Sequence, residues 1–155
     1  MSINGYNPLR HDCPSMGCFN KVRRPRIEEF AVCFGGDNNF GDCDGMVEKK
    51  GRLCMLEWKG PGGSLAGGQI IAFEHLTLTP EGKANGNIVF VVEGDPRTME
   101  IQRYCIFWGG RQHNWVTAAF NELRARIKAW DTWASGLSFP RTPGGLEKVG
   151  YFNGR

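Results

Sequence analysis

The sequence predicts an α/β protein, in which a mixed β-sheet is flanked by helices. Two strand-like runs surround a turn at Lys50-Gly51, and 87–93 (NIVFVVE) is a continuous apolar run, typical of a strand covered on both faces. Helical spacing of apolar residues follows later in the chain, at Phe120, Leu123, Ile127 and Trp130. Strands interleaved with helices indicate a mixed sheet between helices.

A first helix is predicted at about 25–34. Pro25 suits a first helical turn, Glu28 and Glu29 suit its positive end, and Gly35-Gly36 ends it. A buried stripe at helical spacing is expected at Ile27, Phe30, Ala31 and Phe34.

The later elements are bounded by glycine and proline. We predict strands at about 44–49 and 53–59, a helix at 66–78, strands at 87–93 and 100–108, and a helix at 117–135. Residues 1–137 are expected to form a single domain with an irregular segment at 1–24, followed by a Gly/Pro-rich tail at 138–155.

Composition is ordinary for a globular protein, with 41% apolar and 23% charged residues in a chain of 155. No apolar run approaches the ~20 residues of a membrane span, so no membrane partner is expected. The N-terminus has no apolar core of the secretory type, which makes the cytoplasm the expected compartment. The net charge of +3 permits nucleic-acid binding without arguing for it.

The six cysteines are expected to be reduced, because disulfide frameworks suit short secreted chains. Most of them would pack as small hydrophobes, an expectation that covers Cys33, Cys43, Cys54 and Cys105. A structural Zn²⁺ site is the less favoured alternative, since Cys13 and Cys18 have an allowed spacing but no second tight pair. Its candidate ligands are Cys13, Cys18, Cys33 and Cys43.

The most informative pattern lies in the hairpin. With a two-residue turn at Lys50-Gly51, Asp44 falls opposite Glu57, and Asp42 falls opposite Lys59 on the same face. Opposed carboxylates repel unless something binds between them, and their hard oxygens suit Mg²⁺ or Mn²⁺. The backbone carbonyl of Trp58 could supply a third ligand, while its indole points to the opposite face.

A hairpin with solvated cross-strand charge pairs is the plain alternative. Two observations favour the metal site. Glu57 and Lys59 end an otherwise apolar strand, where charge is least expected, and a glycine-rich loop at 60–63 follows at once.

Asp44, twelve residues, then Glu57-x-Lys59 across a hairpin resembles the PD-(D/E)xK nuclease superfamily. The glycine loop, then Gln69 and Leu76 separated by six residues, resembles its VRR-NUC branch, which occurs in bacteriophage proteins and in structure-specific DNA-repair nucleases. The similarity covers about 25–94. One departure is that Cys43, not proline, precedes Asp44.

The resemblance implies a restriction-endonuclease-like core in α-β-β-α-β order and a DNA endonuclease active on branched or junction DNA. It implies that Asp44, Glu57 and the Trp58 carbonyl bind Mg²⁺ or Mn²⁺, that Lys59 is the catalytic lysine, and that Gln69 positions the site. Glu28 is the preferred acid of the first helix. The setting would be the cytoplasm of a bacterium or of a phage-infected host.

Other expectations concern partners. Arg23, Arg24 and Arg26 could contact DNA phosphates, and Trp130 with Trp133 could build a homodimer contact. His75 and His113 are expected to be structural. Two alternatives to the enzyme stay open: a non-catalytic nuclease fold that binds nucleic acid or a host protein, and a small structural zinc-binding protein.

Overall fold

The computed structural model describes residues 30, 32–35 and 43–137. Residues 43–137 contain a mixed six-stranded sheet and two helices. The elements are β1 (Gly45–Lys49), β2 (Arg52–Lys59), α1 (Gly67–Leu76), β3 (Ile88–Asp95), β4 (Glu100–Trp108), β5 (Arg111–Gln112), β6 (Val116–Thr117) and α2 (Phe120–Ser135). The predicted α/β class, with helices flanking a mixed sheet, is therefore confirmed.

The first hairpin has the predicted register. Lys49 pairs with Arg52, and the ladder continues to Gly45 opposite Leu56. Both turn residues have positive φ, 48° at Lys50 and 79° at Gly51, which matches the right-handed twist of a two-residue hairpin.

The sheet is ordered β1-β2-β3-β4-β5, and β6 also pairs with β4. The pairing of β2 with β3 is parallel, whereas the other pairings are antiparallel. A parallel pair needs a crossover connection, and α1 lies in that connection. The carboxyl ends of β2 and β3 consequently lie side by side.

Two apolar clusters cover the two faces of β3. One contains Ile88, Phe90 and Val92 with Leu123, Trp130 and Ala134 of α2, and the other contains Val89 and Val91 with Phe73 of α1. All residues from Ile88 to Gly94 are buried, which confirms the prediction of a strand covered on both faces.

A β-bulge interrupts the β3–β4 hairpin. Asp95 pairs with Glu100 and Gly94 with Ile101, but Glu93 pairs with Arg103, so β4 contains one extra residue at this point. Gly94 permits the close approach, since a Cβ atom there would lie 2.1 Å from the carbonyl oxygen of Glu100.

The sequence missed several local features. It did not predict the two-residue strands β5 and β6, and Thr117 belongs to β6, so α2 begins at Phe120. Phe120 is 39% exposed, which contradicts its expected place in the buried stripe. None of the helices in 43–137 is long and apolar enough to cross a membrane.

The described residues 30 and 32–35 precede the sheet and helices in the chain. They include 3₁₀ turn conformation within the predicted first helix, and Phe30 and Phe34 are 56% and 43% exposed, so neither forms the expected buried stripe. The rest of that helix, the segment 1–24 and the tail from 138 lie outside the described residues.

Candidate active site

Three polar side chains meet where β2 ends. The Lys59 ammonium lies 2.9 Å from Glu57 Oε1 and donates to Gln69 Oε1 at 3.0 Å. The Gln69 amide nitrogen donates to the same Glu57 oxygen at 2.9 Å. Glu57 is 8% exposed, so these contacts compensate a buried carboxylate. The three side chains are called the Glu57 cluster below.

The alternation of β2 explains why Glu57 and Lys59 share a face. Trp58, between them, packs on the opposite face, and its indole N–H donates to the Gly94 carbonyl at 2.9 Å. This confirms the prediction that the Trp58 side chain belongs to the core. Lys59 pairs with Glu93, so the cluster lies at the carboxyl end of the buried sheet.

Helix α1 fixes Gln69 against β2. Its first turn follows the glycine loop, and Gln69 Oε1 also accepts the Ala66 N–H at 3.3 Å, which satisfies a donor at the helix start. Phe73, one turn later, is buried against Val89, Val91 and Phe107. The glutamine is therefore held from both ends, by its own helix and by the two charged residues of β2.

Asp44 lies just before β1 and is not paired as a strand residue. Its Oδ2 instead accepts the backbone N–H of Trp58 at 2.5 Å. In an extended strand the N–H and C=O of one residue point to the same side, so the Trp58 carbonyl also faces this edge of β2. Asp44 and the Trp58 carbonyl therefore lie along this edge of β2, one residue beyond Glu57 in the strand, and all three residues carry oxygen atoms of the hard type.

The acidic set is small within the described residues. No group of three or more His, Cys, Asp or Glu side chains converges there in a way that could hold a metal ion. Two further acidic residues named from the sequence lie outside the described residues: Asp42, which the predicted register places opposite Lys59, and Glu28.

A second buried carboxylate, that of Glu93, lies near the carboxyl end of β3, which is next to β2. Glu93 is 4% exposed; its Oε1 accepts the Gly62 N–H at 2.8 Å and its Oε2 accepts Arg103 Nε at 2.6 Å. The Gly62 amide and the Arg103 guanidinium hold the pKa of Glu93 below its ordinary value. Glu93 thereby ties the glycine loop to the sheet. Glu93, Gly62 and Arg103 are called the Glu93 cluster below.

The Arg103 side chain makes a second contact, with Trp115. Its guanidinium carbon lies 4.6 Å from the centre of the Trp115 ring, close enough for cation–π attraction. The pairing of Arg103 with Thr117 in β6 brings Trp115 to this position. The side chain of Arg103 nevertheless remains 46% exposed.

Sequence reasoning did not single out Glu93, Arg103 or Trp115. For Glu93 a signal was present in the sequence, since its charge follows an apolar run near the end of a strand, as that of Glu57 does. For Arg103 it was not, because continuing the register from Asp95 and Glu100 would place Gln102 opposite Glu93. The bulge, which depends on tertiary packing, decides the pairing.

The cysteine predictions are partly wrong. Cys33 and Cys43 are exposed thiols, so neither packs as a small hydrophobe. Cys105 is buried and Cys54 packs against the core, as expected; burial raises the pKa of both thiols, that of Cys54 to about 11. Cys13 and Cys18, on which the zinc alternative depends, lie outside the described residues, as do Arg23, Arg24 and Arg26.

The predicted tryptophan pair on α2 does not form one surface. Trp130 is buried, and its indole N–H donates to the Gly86 carbonyl at 3.2 Å, so it cannot serve a homodimer contact. Trp133 is 42% exposed and packs edge-on against Trp108. Beside it, a cleft of about 350 Å³ is lined by apolar residues with His113 and Arg126, on the sheet face opposite the Glu57 cluster.

Comparison with protein-family models, curated proteins and solved structures found no match for this chain.

Proposed function

We propose that this protein is a metal-dependent DNA endonuclease with a restriction-endonuclease-like core, most similar to the VRR-NUC branch of the PD-(D/E)xK superfamily. The observation that carries the proposal is the Glu57 cluster. The resemblance includes Glu57, Lys59 and Gln69, which are separated in sequence, and these three side chains make mutual contacts. A chance match of spacing would not require those contacts.

The donor set suits Mg²⁺ or Mn²⁺. Asp44 and Glu57 contribute carboxylates and Trp58 a carbonyl, which are oxygen ligands of the hard type that these ions prefer. Within 43–137, Glu57 Oε1 takes both cluster contacts, which leaves Oε2 for an ion. Such an ion would supply Lewis-acid stabilisation of charge at phosphorus and a lowered pKa of water.

Net charge also favours a cation. Asp44, Glu57 and Glu93 carry three negative charges, whereas Lys59 and Arg103 carry two positive ones. A phosphodiester would meet net repulsion at this end of the sheet. One divalent cation reverses the sign, so substrate binding and metal binding should be coupled.

The chain's own residues then have distinct tasks. Lys59 holds a positive charge where negative charge develops on the phosphate oxygens, and it can orient the attacking water. Gln69 keeps the lysine and the glutamate at fixed separation. Glu57 and Asp44 would bind the cation, and Glu93 holds the glycine loop through the Gly62 N–H.

A cleavage assay tests the proposal. Full-length protein is incubated with labelled single-stranded, duplex and branched DNA in Mg²⁺ or Mn²⁺, with circular DNA included to separate endonuclease from exonuclease action. Asp44→Ala and Lys59→Ala should each lower the cleavage rate by about 100-fold or more, since each removes transition-state stabilisation.

The control for lost charge is Lys128→Ala, an exposed lysine on α2, which should cleave like the unaltered protein. Activity that survives both Asp44→Ala and Lys59→Ala would overturn the assignment. DNA binding without cleavage in any metal would instead favour the alternative, a nuclease fold that only binds.

A further inference from the structure

We infer that Arg103 binds a phosphodiester of the nucleic-acid backbone next to the one held at the Glu57 cluster. The inference rests on the proposed function, because it takes the Glu57 cluster as the point of cleavage. It adds a substrate-binding residue on a different strand of the sheet, outside the sequence range that carries the nuclease resemblance.

The bulge in β4 is the first observation. Without it, Arg103 would pair with Val92 and point to the face that α2 covers. The extra residue turns Arg103 to the face of Lys59 and Glu93 instead. Bulges that redirect a side chain are frequent next to active sites.

The second observation is that two contacts fix the position of the Arg103 guanidinium. Glu93 binds its Nε, and Trp115 lies under the plane of its guanidinium. An arginine carries five N–H donors, and within 43–137 the Nε is the one that binds a side chain. The outer nitrogens of a half-exposed, fixed guanidinium match the oxygens of a phosphate.

The third observation is the spacing. Lys59, Glu93 and Arg103 are paired across three consecutive strands. Neighbouring strands are ~4.8 Å apart, so the Cα atoms of Lys59 and Arg103 lie about 10 Å apart. Glu93 lies on the strand between them, and its carboxylate, which binds Arg103, separates the two cations. The two cations therefore suit two successive phosphates better than a single one.

The test measures DNA binding apart from cleavage. Binding of a fluorescent oligonucleotide is followed by anisotropy in Mg²⁺ over a series of salt concentrations, in the Lys59→Ala background so that the DNA stays intact. Adding Arg103→Gln should weaken binding about tenfold, the loss expected for a charge-assisted hydrogen bond. It should also reduce the salt slope by about 1.

The matched control is Arg124→Gln, an exposed arginine on α2, at the opposite face of the sheet. It removes the same charge and should leave affinity and salt slope unchanged. In the cleaving protein, Arg103→Gln should raise KM about tenfold with little change in kcat, because a neighbouring phosphate is bound equally in the ground and transition states.

A second measurement needs no variant of Arg103. Bound DNA should protect Arg103, but not Arg124, from modification by phenylglyoxal, as read by peptide mass mapping of the unaltered protein. Equal modification of Arg103 with and without DNA, or unchanged binding by Arg103→Gln, would overturn the inference. Those results would leave the cleavage assay untouched, whereas protection of Arg103 in a protein that never cleaves would overturn only the nuclease proposal.

Discussion

Two buried glutamates lie near the carboxyl ends of two neighbouring parallel strands, yet their surroundings differ. In the Glu57 cluster one carboxylate oxygen takes both contacts, from the side chains of Lys59 and Gln69. In the Glu93 cluster both oxygens are bound, one by a backbone amide and one by a guanidinium. The difference distinguishes the two sites. Glu57 Oε2 makes no hydrogen bond within 43–137, which is why we propose it as a cation ligand, whereas both oxygens of Glu93 already have partners.

The largest change in stability should come from Gly94→Ala, which disturbs the Glu93 cluster and not the Glu57 cluster. The new Cβ would overlap the Glu100 carbonyl, so the bulge must shift and Arg103 must leave Glu93. We expect a loss of about 3 kcal/mol in the free energy of unfolding, measured by chemical denaturation. Gly68→Ala in α1 is the control, because its Cβ would meet nothing within 4 Å. Equal stability of the two variants would contradict the role assigned to the bulge.

A smaller effect should distinguish the two glutamates. Glu93→Gln offers one acceptor where two donors point, so one donor loses its partner and the charge of the carboxylate is lost, at a cost of about 1–2 kcal/mol. Glu57→Gln keeps an acceptor for both contacts of Glu57 and should cost less. Equilibrium unfolding at neutral pH checks this order, and a greater loss in Glu57→Gln would reverse the assignment of the two sites.

The same pair predicts a pH dependence. The folded-state pKa of Glu93 lies below its ordinary value of 4.5, so the unfolded chain takes up a proton first as pH falls. The stabilisation is fully present above pH 4.5 and is lost as pH falls through the lower folded-state pKa. The free energy of unfolding, measured between pH 6 and pH 3, should therefore fall more steeply with decreasing pH for the unaltered protein than for Glu93→Gln. If both proteins lost the same free energy of unfolding over this range, Glu93 would not be the source of the pH dependence.

Much of the site could be predicted because it depends on local geometry. The turn at Lys50-Gly51 sets the hairpin register, and strand alternation then places Glu57 and Lys59 on one face and Trp58 on the other. The helix predicted at 66–78 corresponds to α1, which packs on the sheet through Phe73 and brings Gln69 to the end of β2. These inferences need only short stretches of chain.

The rest could not be predicted, because it depends on contacts between distant segments. The pairing of Glu93 with Arg103 follows from a bulge that the turn residues do not reveal. Trp115 reaches Arg103 through a two-residue strand, too short to have a sequence pattern of its own. Phe120 belongs to the predicted apolar stripe but is exposed, because α2 begins at this residue, after β6.

Calorimetric titration of Mn²⁺ into the full-length protein tests the central claim most directly. The account predicts binding by the unaltered protein, loss of that binding in Asp44→Ala and in Glu57→Gln, and its retention in Glu93→Gln. Binding that persists in Glu57→Gln but disappears in Glu93→Gln would contradict the account, since Glu93 would then be the carboxylate that binds the metal.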